Sequence, residues 1–277
     1  MDSFLDRMAN SSRARARAAR ARESIAQLSS RAAVSPEPLP LALSGFDLIA
    51  ELKLRSPAQG GLVDQSFDPS RQLEAYAAAG AAAVSVLTEP DEFKGELAHL
   101  KDAASLLRPL ACPVMRKDFL VDPYQVIEAR ANGASGVLLI VAMLTDAELD
   151  ELVAAARQEA LFVLLEAFDT DDLERIARLK LSGSGSQILI GVNSRNLKTL
   201  AVDFDRFARL ADQIRDDLPA VAESGIERPG DIETIVGLGY RLALVGSALM
   251  RDGDAQATAA AFIAAGRVAL REQATCS

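Results

Sequence analysis

The stretch Pro219-Ala220-Val221-Ala222-Glu223-Ser224-Gly225 decides the fold of this chain. A run of small apolar residues ends in a carboxylate, and two small residues follow at once. The same form returns at Arg241-Leu242-Ala243-Leu244-Val245-Gly246-Ser247. Each stretch reads as a buried strand that opens through a small-residue turn into a helix. Helix starts offer unpaired N–H groups and a partial positive charge, which suit a phosphate. In a (β/α)8 barrel the loops after strands seven and eight often take this role. The two turns therefore point to a barrel and to a phosphorylated small molecule, with Ser224, Gly225, Gly246 and Ser247 as its holders.

Comparable runs lie upstream at residues 47–52, 83–87, 113–116, 136–140, 161–165 and 188–192, and with 220–222 and 242–245 they make eight. They are continuously apolar rather than alternating, as in a parallel sheet buried on both faces. Helical patterns separate them at 68–79, 123–132, 146–159, 170–180 and 229–238. Several of these open with Asp, Thr or Pro, and Gly80, Gly133 and Gly239 stand where C-caps belong. Eight strand–helix units predict an α/β protein of the (β/α)8, or TIM barrel, class. A doubly wound sheet is the alternative, but it has no need of eight similar units. One barrel domain is expected over residues 1–277, with residues 1–45 as an N-terminal helical extension. Ala14, Ala18, Ala21, Ile25 and Leu28 share one helical face there and are expected to pack on the barrel. The arginines between them are expected to form a solvated face paired with acids. Residues 35–40 hold three prolines and read as the linker. Ser182-Gly183-Ser184-Gly185-Ser186 lacks the lysine of a phosphate loop and precedes a strand, so it reads as a turn.

Composition narrows the function. The hydrophobic fraction of 49% is that of a folded protein, and no apolar run approaches a membrane span. A net charge of −9 argues against nucleic acid or an anionic membrane as a partner. One histidine, His99, and two distant cysteines, Cys112 and Cys276, cannot build a Cys/His metal centre. No metal is expected. The cysteines, and an N-terminus rich in arginine where an export signal would be apolar, suggest the cytoplasm. A monomer or weak homo-oligomer is expected.

The active site of such a barrel lies at the C-terminal ends of its strands. That rule collects Glu51 and Lys53 with Ser56 after strand one, Lys117 after strand three, Glu166 after strand five, Asn193 and Arg195 after strand six, and Glu223 after strand seven. Glu51 and Lys53 are two apart and share a face of the strand. Charges inside a barrel are costly unless paired or used. Clustered Lys and Glu also tune one another's proton affinity, as proton transfer requires. The residues alone indicate a barrel enzyme acting on a phosphorylated metabolite, with lysine and glutamate moving protons. His99 reads as a surface residue.

Several segments resemble the indole-3-glycerol phosphate synthase family. They are Ile49-Ala50-Glu51-Leu52-Lys53 with Ser56-Pro57, Ser85-Val86-Leu87-Thr88 with Phe93-Lys94-Gly95, Pro113-Val114-Met115-Arg116-Lys117-Asp118-Phe119 with Asp122-Pro123-Tyr124-Gln125, Gly191-Val192-Asn193-Ser194-Arg195, Ala222-Glu223-Ser224-Gly225 and Leu244-Val245-Gly246-Ser247. The resemblance runs in order along nearly the whole chain. It implies conversion of 1-(2-carboxyphenylamino)-1-deoxyribulose 5-phosphate into indole-3-glycerol phosphate, with loss of carbon dioxide and water and no cofactor. It further implies that Lys117 is the general acid of ring closure. Lys53 would bind the substrate carboxylate or the developing charge, or donate a proton itself. Glu166 would be the proton partner in dehydration, and Glu51, Asn193 and Glu223 would orient substrate and lysines. Ser56, Ser224-Gly225, Gly246-Ser247 and Arg195 would hold the phosphate, with Phe93 also at the substrate. The chain departs from the family at Leu54, Ala58-Gln59, Glu92, Phe168 and Asn196, around the expected pocket mouth and first loop. These changes raise the hypothesis of a specialised or substrate-shifted member. The alternatives are a related phosphoribosyl isomerase and a catalytically silent barrel that serves as a binding subunit.

Overall fold

Eight parallel strands close into a barrel in the computed structural model, which describes residues 3–56, 60–61, 67–179, 187–196, 199–251 and 253–276. The strands are β1 (Asp47–Leu52), β2 (Ala83–Leu87), β3 (Val114–Lys117), β4 (Gly136–Ile140), β5 (Phe162–Ala167), β6 (Ile188–Asn193), β7 (Ala220–Glu223) and β8 (Leu242–Val245). Each pairs with its neighbours in sequence, and β8 closes the ring on β1 with Ala50 opposite Val245. The barrel expected from the sequence is the fold; the doubly wound sheet is not.

Two apolar clusters explain why the strands read as continuously apolar. Leu48, Ala50, Val84, Val86, Val163 and Leu165 belong to an outer cluster shared with the helices. Their alternates, among them Ile49, Ala83, Met115, Leu138, Leu164, Leu189, Val221 and Leu244, form a separate inner cluster that fills the barrel. Burying one such aliphatic side chain contributes about 1.5–3 kcal/mol. Apolarity underestimates where three strands end. β5 runs on through Glu166, β6 includes Asn193 and β7 includes Glu223, while β3 is shifted to end at Lys117. The ladder continues through these polar residues because their neighbours are equally long: Glu166 lies opposite Gly191, and Asn193 opposite Glu223.

The helices are α1 (Phe4–Arg22), α2 (Ile25–Val34), α3 (Pro69–Ala78), α4 (Leu97–Leu107), α5 (Pro123–Ala131), α6 (Asp146–Gln158), α7 (Thr170–Arg178), α8 (Arg206–Leu210), α9 (Pro229–Gly237), α10 (Ser247–Arg251) and α11 (Ala255–Cys276). Of the residues read as helix starts, Asp68 is an N-cap, and Pro123, Asp146, Thr170 and Pro229 are first helical residues; Asp122 and Asp169, one place earlier, accept backbone N–H groups, and Thr145 forms a capping box with Glu148. Gly133 illustrates the stop signal, with φ at +86° and Ala104 Cβ only 2.9 Å from where a Cβ would stand. His99 lies half-buried on α4. The turn at 182–186 lies outside the described residues. Among the described residues no helix is long and apolar enough to cross a membrane.

The N-terminal helix is present, but it breaks where a capping box at Ser24 starts a second one. Its buried face also differs from the expected one. Ala14, Ala18, Ala21 and Ile25 are exposed; Met8, Ala9, Ser12, Ala16 and Leu28 are buried. Polar partners on the barrel set the rotation. Gln125 donates to Ser12 Oγ at 2.8 Å, Arg13 pairs with Glu148 at 2.9 Å, and Arg20 pairs with Asp122. Arg15 grips the buried Asp118 through two bonds of 2.7 and 3.0 Å. Such bidentate bonds outweigh the small apolar area of an alanine face. Arg13, Arg15 and Arg20 pair with acids as expected, but those acids belong to the barrel and the pairs fasten α1 to it.

Candidate active site

The interior positions of the strands alternate, so a polar residue two places beyond an inner-cluster residue points into the mouth of the barrel. Ile49 is followed by Glu51 and Lys53, Met115 by Lys117, Leu164 by Glu166, and Val221 by Glu223. Leu189 is followed by Gly191 and then Asn193 on the same face. One cavity, open to solvent at its mouth, is lined by Glu51, Lys53, Lys117, Glu166, Asn193 and Glu223. Phe93, Arg195, Ser224, Gly225, Gly246 and Ser247 line the same cavity. Of the residues singled out from the sequence only Ser56 is not placed there. Its backbone forms a two-residue strand against Gly60–Gly61, and its side chain, like Pro57 and Ala58-Gln59, lies outside the described residues.

Lys117 is the centre of the polar cluster. Its Nζ lies 3.1 Å from Glu223 Oε2, 3.3 Å from Glu166 Oε2 and 4.0 Å from Glu51 Oε2. Lys53 Nζ pairs with Glu51 Oε1 at 2.8 Å. Asn193 Nδ2 donates to Glu166 Oε1 at 3.0 Å, and its Oδ1 accepts the Arg195 N–H at 2.9 Å. Burial works against the Lys117 ammonium, but Glu223, Glu166 and Glu51 beside it hold its pKa above the usual lysine value. Burial likewise opposes the Glu51 carboxylate, and Lys53 and Lys117 outweigh it, so Glu51 titrates below the usual range. Glu223 goes the other way. Burial pushes its pKa up to about 8, with Glu166 and Glu51 adding to the rise and Lys117 opposing it. The site thus pairs a persistent ammonium with one carboxyl whose pKa is lowered and one whose pKa is raised, the separation that acid–base chemistry uses. Among the described residues no group of three His, Cys, Asp or Glu side chains is placed to hold a metal ion.

The raised Glu223 couples folding to pH. The folded chain keeps its proton where an ordinary glutamate, near 4.5, has lost it. Its contribution to stability is whole below about pH 4.5 and is lost as the pH rises through about 8. We expect the melting temperature of the chain to fall across that window, and Glu223→Gln to flatten the fall. An unchanged slope in the variant would remove the assignment.

The phosphate turns are built differently from one another. Gly246-Ser247 opens directly into α10, whereas Ile226-Glu227-Arg228 separate Ser224-Gly225 from α9. Ser224 and Gly225 both have positive φ, +68° and +76°. A left-handed non-glycine residue is strained backbone, and Ser194 braces it by donating its hydroxyl to the Ser224 carbonyl at 3.0 Å. Arg195 lies beside this turn with its guanidinium donating to the Leu200 carbonyl at 2.7 Å.

Of the apolar wall, sequence reasoning had assigned only Phe93 to the substrate. Phe119 lies at the cavity with Phe4 of α1, ring centroids 5.9 Å apart and edge to face, and Phe93 lies 6.2 Å from Phe119. Phe119 was within reach of the rule that joins Glu51 to Lys53, because it stands two beyond Lys117. Phe4 was not, because nothing local says where α1 docks. Phe93 is placed by the buried Glu89, whose carboxylate accepts the N–H groups of Asp91, Glu92 and Phe93. Of the atypical positions, Phe168 and Asn196 line a second, shallower hollow that shares Phe4 with the main cavity. Glu92 and Leu54 are half-buried beside the site.

The family described as indole-3-glycerol phosphate synthase matches residues 5–262. The chain is 47% identical over 219 residues to the indole-3-glycerol phosphate synthase of a Nocardioides species, which covers 79% of this chain and 80% of that protein. It is 38% identical over 266 residues to the enzyme of the same name from Mycolicibacterium gilvum, covering 95% and 94%. Among solved structures, 3-hexulose-6-phosphate synthase from Salmonella typhimurium superposes with a TM-score of 0.61 at 14% identity, covering 79% of this chain and 98% of that one. At that identity the likeness is one of fold alone.

Proposed function

The chain belongs to the indole-3-glycerol phosphate synthase family, and on that premise we propose how its own residues carry the family reaction. The substrate is small and phosphorylated, 1-(2-carboxyphenylamino)-1-deoxyribulose 5-phosphate. A ring carbon attacks the sugar carbonyl, carbon dioxide leaves, and loss of water completes the indole. Closure puts negative charge on the carbonyl oxygen, so a proton donor must reach it as the bond forms. Lys117 is that donor. The observation that carries the reading is its ammonium held between Glu223 at 3.1 Å and Glu166 at 3.3 Å at the barrel mouth.

Lys53, paired with Glu51, receives the substrate carboxylate or the charge that follows it. Glu166, oriented by Asn193, exchanges the proton of dehydration. Glu51 and Glu223 hold the lysines. Ser224-Gly225, Gly246-Ser247, Ser56 and Arg195 take the phosphate, and Phe93 with the neighbouring phenylalanines faces the aromatic ring. Lys117 lies three strands from β8 around the ring, so a substrate anchored at the phosphate turns spans the mouth. An isomerase that relies on Cys or Asp is less well supported, because Cys112 precedes β3 at the opposite end of the barrel. A silent scaffold has no use for so many buried or half-buried charges at one mouth. A cytoplasmic location belongs to the same proposal; it is supported by the free, buried thiol of Cys112.

The test is direct. Incubation with the substrate should raise indole fluorescence catalytically. Absence of signal at substantial enzyme concentration would defeat the reading.

A further inference from the structure

The three carboxylates around Lys117 are held by different means. Glu166 is fixed by a donor, because Asn193 bonds its Oε1 and leaves Oε2 for the lysine. Glu51 is shared between two lysines. Among the described residues Glu223 has only one such partner: Oε2 meets Lys117, while Oε1 is buried with no hydrogen-bond partner. What lies against Oε1 is the bare backbone of Gly191 on the neighbouring strand. A Cβ on Gly191 would stand 2.1 Å from Oε1 and 3.2 Å from the carboxyl carbon. Gly191 occupies an inward-facing position, between Leu189 and Asn193, where most of the barrel carries a side chain. A glycine inside a strand weakens it and marks a close approach of other atoms.

We propose that Gly191 is a positioning residue for the reaction: its missing side chain is the seat that holds the Glu223 carboxyl against Lys117. The proposal rests on the reading of Glu223 as part of the active site. The seat also explains the electrostatics of Glu223. An oxygen resting on a glycine receives no hydrogen bond, so nothing there offsets the cost of burying its charge, in keeping with a pKa that burial raises.

The experiment is a double-mutant cycle in the full chain with Glu223→Ala, Gly191→Ala and the pair, reading kcat, KM and thermal unfolding. Glu223→Ala lowers kcat. Gly191→Ala lowers kcat about 100-fold, the scale of an ångström of misplacement, while KM changes less than about threefold. In the Glu223→Ala background the seat is empty, so adding Gly191→Ala changes kcat by less than about twofold. Leu164 Cδ1, 3.1 Å from the new Cβ, must yield in either background. A role in packing alone therefore costs the same in both, and equal costs overturn the proposal. If Gly191→Ala fails to fold, the pair should fold, because the Glu223 side chain is gone; a pair that also fails to fold overturns the seat. An unchanged kcat in Glu223→Ala removes the reading of Glu223 and the seat's role with it. A loss in Glu223→Ala with equal costs for Gly191→Ala removes the seat alone.

Discussion

Lys117→Ala nearly abolishes formation of the indole product. A positioned general acid is worth about 10²–10⁴-fold, and the variant removes the one donor among the described residues that touches both Glu166 and Glu223. It also removes the positive charge those carboxylates surround. Left together, they repel one another, and Glu223 loses the one partner that opposes its protonation. The loss should therefore fall on kcat. The phosphate turns and the apolar wall are untouched, so substrate binding should survive. Single-turnover indole formation, with binding followed separately by equilibrium dialysis, is the measurement. A near-normal single-turnover rate would remove Lys117 from the chemistry. Loss of binding with the chemical step intact would make it an anchor for the substrate.

Asp118→Ala unfolds the chain more readily than any other single change considered at the site. Asp118 is buried and accepts from Arg15, from Arg116 Nη2 at 3.1 Å, from Thr88 Oγ1 at 2.7 Å and from its neighbour's N–H, that of Phe119, at 2.8 Å. Arg116 is itself only 2% exposed, so truncation leaves a buried guanidinium short of a counter-charge. Breaking a buried pair in this way costs on the order of 3–5 kcal/mol. The strand that carries Lys117 and the helix that carries Phe4 are tied through this one carboxylate, so activity should fall with stability. Chemical denaturation of the full chain measures it; a change below about 1 kcal/mol would show that the other bonds of Arg116 suffice. Arg15 and Arg116 hold the Asp118 carboxyl well below the usual range despite its burial. Its contribution is therefore present above the ordinary aspartate value and lost as the pH falls, and the variant should lack that acid-side loss.

Much of this molecule was legible in one dimension. The barrel followed from continuous apolar runs because β-strands covered on both faces have no place for a polar alternate. Glu51 and Lys53 were legible as a pair because two residues apart on a strand means one face. The strand-end rule then collected the lysines and glutamates without any knowledge of their partners. Those inferences rest on local chain chemistry: burial, period and turn residues, all set within a few positions. The partnerships were out of reach. Lys117 meets Glu166 from 49 positions away and Glu223 from 106, and only closure of the ring brings them within 3.3 Å. The rotation of α1 was misread because alanine spacing carries a weak signal, whereas the ion pairs that set it are made with Asp118 after β3, Asp122 before α5 and Glu148 on α6. Gly191 was one glycine among 17 until a carboxyl oxygen was found resting on it. Charge interactions and close contacts depend on distance in space, which a linear pattern does not record.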